Sequence, residues 1–429
     1  MSSISLFKLL ECQARRVVDT KYASDLLLTS SSNLAITLMG AISGILTARI
    51  LGAAGRGELA SAVVWAAILG ALATLGLPQA LIYISARSTD YVEEILTTTL
   101  ALMFMQSAVT CIAGYFLVDL LFDASKSSTR FVVKLYLASI PLNLITTYLS
   151  TIAQGMQNFR LSNGIRFMAA FGYFFAIILA AMFGWSNSKF IISLALTMQF
   201  MVAGVSLIVF IKILPWRPSF NRVLARDLLQ YGLKSYMGSL SWLANARVDQ
   251  FVMSLVLNTR DIGYYAVAVS YASLLFPMSG AFASTIFPRI AKSQANEAHR
   301  TIISALKINT AVATLIAIIM FLAGPLIIPF VFGAEYQYSV LPSSILLPGT
   351  VVLGCNYVLS DGLRGLGFPG KVSFAEFIGL VITIIGLILF LPPFGILGAA
   401  TVSLICYSIV LISLLRIWLS LKSTQTRDL

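Results

Sequence analysis

The stretch KSYMGSLSWLANARVDQFVMSLVL, residues 234–257, is long enough to cross a bilayer and yet carries Asn245, Arg247 and Asp249 close to its middle. An ionised side chain at bilayer depth costs about 2.5 to 3.5 kcal/mol, so it needs a partner or a wet cavity. On a helix, Asn245 and Asp249 share a face, whereas Arg247 points well away from Asp249. The partners must therefore come from other helices. Buried ion pairs that fix helix packing are one interpretation; a substrate or proton site is the one we favour.

The composition of the chain indicates a polytopic membrane protein. Of 429 residues, 58% are hydrophobic and only 11% are charged. The formal net charge is +12, but the basic residues lie mainly at the ends of apolar segments, which favours membrane topology over nucleic-acid binding. The cysteines are too far apart to suggest a disulfide framework or a zinc site. The single histidine, His299, lies in a polar run that predicts a solvated loop, so we expect neither a metal site nor a cofactor.

The apolar segments predict an all-α fold of about twelve transmembrane helices. The predicted segments are 31–51, 58–84, 94–119, 131–154, 162–184, 190–214, 234–257, 262–288, 303–330, 340–363, 372–391 and 395–419. With both termini in the cytoplasm, most lysines and arginines fall on the cytoplasmic side, as the positive-inside rule requires. Arg49 and Arg56 fall on the opposite side.

A polar, proline-containing connection divides the helices into two bundles of six. The predicted parts are a cytoplasmic amino-terminal arm (1–30), a first bundle (31–214), a cytoplasmic linker (215–232), a second bundle (233–419) and a cytoplasmic tail (420–429). Sliding the chain by 206 residues lays 51–69 over 257–275 with seven identities in nineteen positions. The repeat predicts a pseudo-two-fold axis along the membrane normal, with a binding site between the bundles near the middle of the membrane.

The run ARILGAAGRG, residues 48–57, resembles the polysaccharide-biosynthesis flippases of the O-antigen exporter type. These belong to the superfamily that also contains the multidrug and toxin extrusion transporters and the peptidoglycan lipid flippase. Asp249 in the seventh predicted helix and Gly263-Tyr264-Tyr265 opening the eighth fit the same family pattern. Taken by itself, the glycine-rich run predicts a tight helical reversal rather than a nucleotide loop, because the Lys-Ser/Thr of a P-loop is missing.

The resemblance implies a transporter rather than an enzyme. Its expected cargo is a polyprenyl-diphosphate-linked oligosaccharide, the repeat unit of an O-antigen, lipopolysaccharide or exopolysaccharide, moved from the cytoplasmic to the outer leaflet of the bacterial inner membrane by alternating access. Without a visible ATP site, an H⁺ or Na⁺ gradient is the expected energy source, with Asp249 as the ion carrier. Membrane lipid and a polysaccharide polymerase are the expected partners.

The candidate substrate-binding residues are those whose charge or hydrogen-bonding groups suit a diphosphate or a sugar. They are Arg247, Arg49, Asn245, Gln154 and Gln157, with Asp361, Arg364 and Asn143 as secondary candidates. Structural interpretations stay open: Arg49 can snorkel to the interface, and Asp361 and Arg364, three apart on a helix, can pair with each other.

Two other functions remain as alternatives. A multidrug or cation extruder of the same superfamily would need an acidic cavity, whereas the predicted membrane interior holds at least as many arginines as carboxylates. A membrane glycosyltransferase or polymerase would need acidic catalytic residues or a large outer loop, and neither is visible in the sequence.

Overall fold

The protein is helical throughout the part that the structure, a computed structural model, describes. This part comprises residues 3–87, 92–213, 219–277, 279, 290 and 295–425, with side chains except those of 3–23, 26, 92–93, 235, 237–246, 295–296 and 421–425. The helices are α1 (Ser3–Thr74), α2 (Leu77–Arg87), α3 (Val92–Leu121), α4 (Ser127–Tyr136), α5 (Ser139–Gly155), α6 (Phe159–Met182), α7 (Ser188–Ile213), α8 (Arg222–Val256), α9 (Thr259–Ala272), α10 (Ala295–Phe332), α11 (Val340–Gly365) and α12 (Pro369–Gln425).

Two of these helices fold back on themselves at a glycine. The apolar part of α1, Leu27–Thr74, has 48 residues, which would span about 72 Å if straight, against about 30 Å of hydrocarbon. Gly52 has φ 62°, a backbone conformation that glycine adopts without steric cost. Arg56 Nη1 reaches Thr47 Oγ1 at 3.1 Å across the bend. The predicted reversal in this run is confirmed.

A glycine with positive φ also divides α12 into two segments. Gly395 has φ 54° and follows Pro392 and Pro393, which cannot continue the hydrogen-bonding ladder. A Cβ built on Gly398 would lie 2.2 Å from the carbonyl oxygen of Phe390, so only a glycine permits this close approach. Each of the two long helices thus supplies two crossings, and the described helices account for the predicted all-α, two-bundle fold.

The crossings alternate between two faces of the molecule. We call the face that carries Arg87, Arg160 and Lys212 the basic face, and the face that carries Gly52 and Gly395 the opposite face. Side-chain amides begin several helices: Asn158 caps α6, and Asn258 accepts the Asp261 N–H at 2.9 Å to cap α9.

The two halves meet at a symmetric contact between α1 and α9. A Cβ on Gly57 would lie 1.6 Å from the carbonyl oxygen of Thr259, and one on Gly263 would lie 1.9 Å from that of Ala53. The shift of 206 residues aligns position 53 with position 259 and Gly57 with Gly263. Each half therefore makes the same contact to the other, which is what a two-fold relation requires. The predicted repeat is confirmed by this reciprocity.

Each half has its own apolar core. One core surrounds Trp65 and Tyr148 in the first half, and a second surrounds Tyr265 and Tyr336 in the second half. Each core also includes residues of the other half: α8 contributes Leu224, Ala225 and Leu228 to the first core, and α1 contributes Ala48, Ala53 and Ala60 to the second.

Details at three predicted boundaries come from the structure. The arm predicted at 1–30 is helical from Ser3 and continuous with α1, since no glycine or proline interrupts residues 3–39; its cytoplasmic location stays a prediction. The linker predicted at 215–232 is shorter, because Asn221 accepts the amides of Val223 and Leu224 and so starts α8 at Arg222. His299 lies inside α10 rather than in a solvated loop, and is 5% exposed beside Trp418.

Candidate functional site

A cavity of about 810 Å³ lies between the two halves. Its walls come from α1, α4, α5, α6 and α7 of the first half and from α8, α9, α11 and α12 of the second. Its polar lining residues are Ser43, Arg56, Tyr136, Asn143, Tyr173, Gln199, Arg247, Asp249, Gln250, Tyr265, Ser270, Ser273, Thr350, Tyr357 and Tyr407. The volume suits a sizeable organic ligand.

The cavity extends toward the basic face. A neighbouring cavity of about 360 Å³ shares Val63, Tyr136 and Asn143 with it and continues along α1 to Thr74 and along α5 to Thr147. The halves are in backbone contact at Gly57 and Gly263, near the opposite face. The described helices therefore close the cavity at the opposite face and extend it toward the basic face.

Arg56 is a charged cavity residue that the sequence prediction missed. It was predicted to lie in an outer turn, but the reversal at Gly52 places it one turn into the next crossing, where it lines the cavity. Its Nη1 donates to Thr47 Oγ1, and its Nε is buried with no partner among the described residues. No carboxylate within the described residues forms an ion pair with it. Its charge is free for an anionic ligand.

Arg247 and Asp249 both line the cavity but do not form an ion pair with each other. The Asp249 carboxylate, 8% exposed, accepts the Tyr265 O–H at 2.7 Å and the Gln250 N–H at 2.7 Å. The Tyr265 hydroxyl also lies 3.5 Å from Ser403 Oγ. In the described part of the chain Arg247 forms no ion pair, although it lies close enough to Asp249 for the two charges to attract each other; it is the second cation of the cavity after Arg56. Two arginines and one aspartate make the charged lining net positive.

Among the other predicted ligands whose side chains the structure describes, only Asn143 is placed in the cavity. The side chain of Asn245 lies outside the described residues. Arg49 donates from Nε to the carbonyl oxygen of Val331 at 2.7 Å and from Nη2 to that of Phe330, on the opposite face and outside the cavity. Gln154 lies exposed in the last turn of α5, outside both cavities.

Asp361 and Arg364 form an ion pair near the basic face. Arg364 Nη1 lies 3.0 Å from Asp361 Oδ1, and its Nη2 lies 3.1 Å from Glu376 Oε1 on α12. The first pair lies within α11 and the second joins α11 to α12, and none of the three residues lines the central cavity. The geometry supports the structural interpretation of this pair.

The aromatic lining of the cavity comes from several helices. Among the aromatic residues around the seventh and eighth predicted helices whose side chains are described, Tyr265 lines the cavity. Tyr231 instead stacks on Tyr83 at 4.3 Å between ring centroids, and the Trp242 side chain lies outside the described residues. The missed tyrosines are Tyr136, Tyr173, Tyr357 and Tyr407, which lie on four different helices and share no local sequence signal.

Gln157 ends α5 with a backbone that suits glycine. Its φ is 56°, and the Asn158 N–H donates to the Ala153 carbonyl oxygen at 2.9 Å. Gly184 and Gly367 occupy the equivalent place after α6 and α11, with Trp185 N–H on Ala180 O and Phe368 N–H on Leu363 O.

We expect Gln157→Gly to stabilise the protein by about 1 kcal/mol, because a side chain in the left-handed region carries a steric cost of that order. Thermal unfolding in detergent measures the change. Gln154→Gly, three residues earlier and inside the helix, is the control and should be destabilised by a similar amount. A lower unfolding temperature for Gln157→Gly would contradict the assignment.

Comparison with known proteins gives the family. The model of the polysaccharide biosynthesis protein family matches residues 23–294. The probable low-salt glycan biosynthesis flippase Agl15 of Haloferax volcanii is 25% identical over 198 residues, 45% of this chain and 41% of that protein. The uncharacterized membrane protein MJ1068 of Methanocaldococcus jannaschii is 27% identical over 295 residues, 65% of this chain and 56% of that protein. The chain thus aligns with about half the length of these relatives.

Solved structures show the same fold at low sequence identity. The lipid II flippase MurJ in its inward closed conformation has a TM-score of 0.74 at 17% identity, covering 92% of this chain and 87% of MurJ. An inward-facing multidrug resistance MATE family transporter has a TM-score of 0.74 at 15% identity, covering 91% and 96%. An outward-facing conformation of a MATE family transporter has a TM-score of 0.59 at 13% identity, covering 93% of this chain and 95% of the transporter. This chain is a multi-pass membrane protein with the fold of flippases and multidrug transporters, and it belongs to the polysaccharide biosynthesis protein family.

Proposed function

We propose that the protein is a flippase that moves a polyprenyl-diphosphate-linked oligosaccharide from the cytoplasmic to the outer leaflet of the membrane. The observation that carries the proposal is the pair of cavity arginines, Arg56 and Arg247, neither of which forms an ion pair with a carboxylate among the described residues. A diphosphate is the costly part of such a cargo to move through a membrane, because its hydration must be replaced. Guanidinium groups replace it with charge-assisted, often bidentate hydrogen bonds.

The rest of the cavity suits a sugar. Neutral donors and acceptors such as Asn143 and Gln199 lie beside tyrosine rings, which offer both an apolar face and a hydroxyl. The family model and the relative named as a glycan biosynthesis flippase support the same cargo class. The basic face, toward which the cavity extends, would be the cytoplasmic face under the positive-inside rule, so cargo would enter from the inner leaflet.

A transport assay tests the cargo class. Purified protein in liposomes should translocate a fluorescent polyprenyl-diphosphate-linked monosaccharide and should discriminate against the same lipid with a neutral linkage. A multidrug extruder of cations is the second candidate, because the fold matches MATE transporters. A multidrug extruder should export a cationic dye and should not distinguish the diphosphate-linked lipid from the lipid with a neutral linkage. Dye efflux without lipid translocation would reject our proposal.

Asp249 is our candidate for coupling transport to an H⁺ or Na⁺ gradient. It is the carboxylate that lines the central cavity among the described residues, and it accepts a hydrogen bond from Tyr265 without forming an ion pair with an arginine. A buried carboxylate that is not in a direct ion pair gains from binding a proton or a cation. Asp249 can therefore bind the ion inside the same cavity as the cargo.

We expect Asp249→Asn to bind cargo normally. An imposed H⁺ or Na⁺ gradient should no longer accelerate transport in this variant, so that it flips the lipid only at the rate seen without a gradient. The amide preserves size and hydrogen bonding but cannot bind a proton or hold a charge. Flipping in liposomes with and without each gradient measures the effect. Asp227→Asn, an exposed aspartate on the same helix, is the matched control. Full gradient stimulation in Asp249→Asn would remove Asp249 from the coupling step.

A further inference from the structure

Three charged side chains join the two halves at the opposite face, outside the cavity. Lys126 follows α3 in the first half, and its Nζ donates to the carbonyl oxygens of Ser254, Leu255 and Leu257 at 3.2, 2.8 and 2.6 Å. These carbonyls belong to the carboxyl end of α8 in the second half. A cation at that end satisfies carbonyls that have no partner within the helix and complements the helix dipole.

Arg49 makes the same kind of contact at another helix end. It lies in the first half, before the reversal of α1, and donates to the carbonyl oxygens of Phe330 and Val331 at the carboxyl end of α10. The arginine side chain is exposed, so its charge need not be buried to make the contact.

The third contact has the opposite polarity. Gly52 breaks the helix, so the N–H of Ala53 begins a new helical segment and lacks an intrahelical acceptor. Glu335 of the second half, in the turn before α11, accepts this N–H at 3.0 Å. A carboxylate at a helix start complements the dipole as the cations do at the helix ends.

We propose that Arg49, Lys126 and Glu335 act as positioning residues for transport: they latch the two halves on the opposite face and hold the cavity open only toward the basic face. Each contact joins the first half to the second, as does the backbone contact at Gly57 and Gly263 near the same face. For cargo to leave on the opposite face, all three contacts must break. Water then replaces the side chains on the exposed helix ends, so the latch biases the equilibrium without locking it.

Neutralising one latch residue should shift this equilibrium toward the state that is open on the opposite face. Hydrogen bonds to charged groups are strong enough that losing the Lys126 contacts should raise the open population about ten-fold or more. Lys126→Met keeps the apolar stem and removes the donor. Lys126→Arg should retain the latch, since a guanidinium also binds carbonyl oxygens.

The test measures access to the cavity from one side. In a full-length chain with its four cysteines replaced by alanine, Val63→Cys places a thiol in the cavity wall. A membrane-impermeant maleimide is added only at the opposite face of sealed vesicles. We expect slow labelling in the parent, about ten-fold faster labelling in Lys126→Met and Glu335→Gln, and parental labelling in Lys126→Arg. Lys134→Met is the matched control, because Lys134 pairs with Asp119 of its own half at 2.6 Å.

The proposal rests on alternating access but not on the cargo. No substrate enters the labelling measurement, so it stands or fails separately from the flippase assignment. Parental labelling rates in both Lys126→Met and Glu335→Gln would overturn the latch. Faster labelling in Lys134→Met as well as in Lys126→Met would also overturn it, because a general loosening of the opposite face would then explain the result.

Discussion

Replacing Arg56 with alanine is expected to reduce transport of the diphosphate-linked lipid by roughly a hundred-fold or more, with normal amounts of protein in the membrane. Two charge-assisted hydrogen bonds to a phosphate would account for a loss of this size. The side chain lines the cavity, and its buried Nε has no partner among the described residues. Removing the side chain therefore breaks no ion pair among the described residues, so the protein should still fold. Arg56→Lys keeps the charge but loses the planar fork, and should transport at an intermediate rate.

Arg247→Ala should have the same effect through the other half of the cavity. The two arginines lie in different halves, so one cation can hold the diphosphate while the other half moves. Arg416→Ala is the control, because Arg416 is exposed at the end of α12 and lies outside the cavity. Liposome flipping and affinity for the lipid measure the outcome. Wild-type flipping in Arg56→Ala and Arg247→Ala would remove the observation on which the proposed cargo depends.

The sequence predicts the helices because their length and apolar character follow from the bilayer alone. The reversal at Gly52 was visible as a glycine-rich turn, and the alignment of the halves at a shift of 206 residues anticipated the reciprocal contact of Gly57 and Gly263. His299 shows the limit: a polar run suggested a loop, but the histidine is buried by Trp418, which lies far along the chain and cannot be inferred from local residues.

The cavity lining was harder to predict, because it depends on which helix faces meet across the interface. Arg56 belongs to the same helix face as Ala60 and Val63, one and two turns further on. The repeat pairs Ala60 with Ala266 and Val63 with Val269, and all four residues line the cavity. Repeated small residues on one face were therefore the signal that could have identified Arg56. The cavity tyrosines carry no such repeat and required the structure.

The opposite face should no longer close when a side chain is added at the backbone contact of Gly57 and Gly263. A Cβ on Gly263 would lie 1.9 Å from the Ala53 carbonyl oxygen, far inside van der Waals contact, and the reciprocal position at Gly57 is tighter still. Gly263→Leu and Gly57→Leu should therefore each prevent closure and abolish transport. Each half should stay folded, since most residues of each core come from a single half.

Spin labels on exposed residues at the opposite face measure this separation. Leu120 in the first half and Leu341 in the second are 80% and 58% exposed, so labelled cysteines there should not disturb packing. We expect the distance between them to lengthen in Gly263→Leu and Gly57→Leu and to remain parental in Ala54→Leu, a control whose side chain is exposed one residue after Ala53. Parental distances with normal transport in Gly263→Leu would contradict the closed contact. Because the two-fold relation makes the contacts equivalent, a defect in one glycine variant alone would contradict the symmetry of the interface.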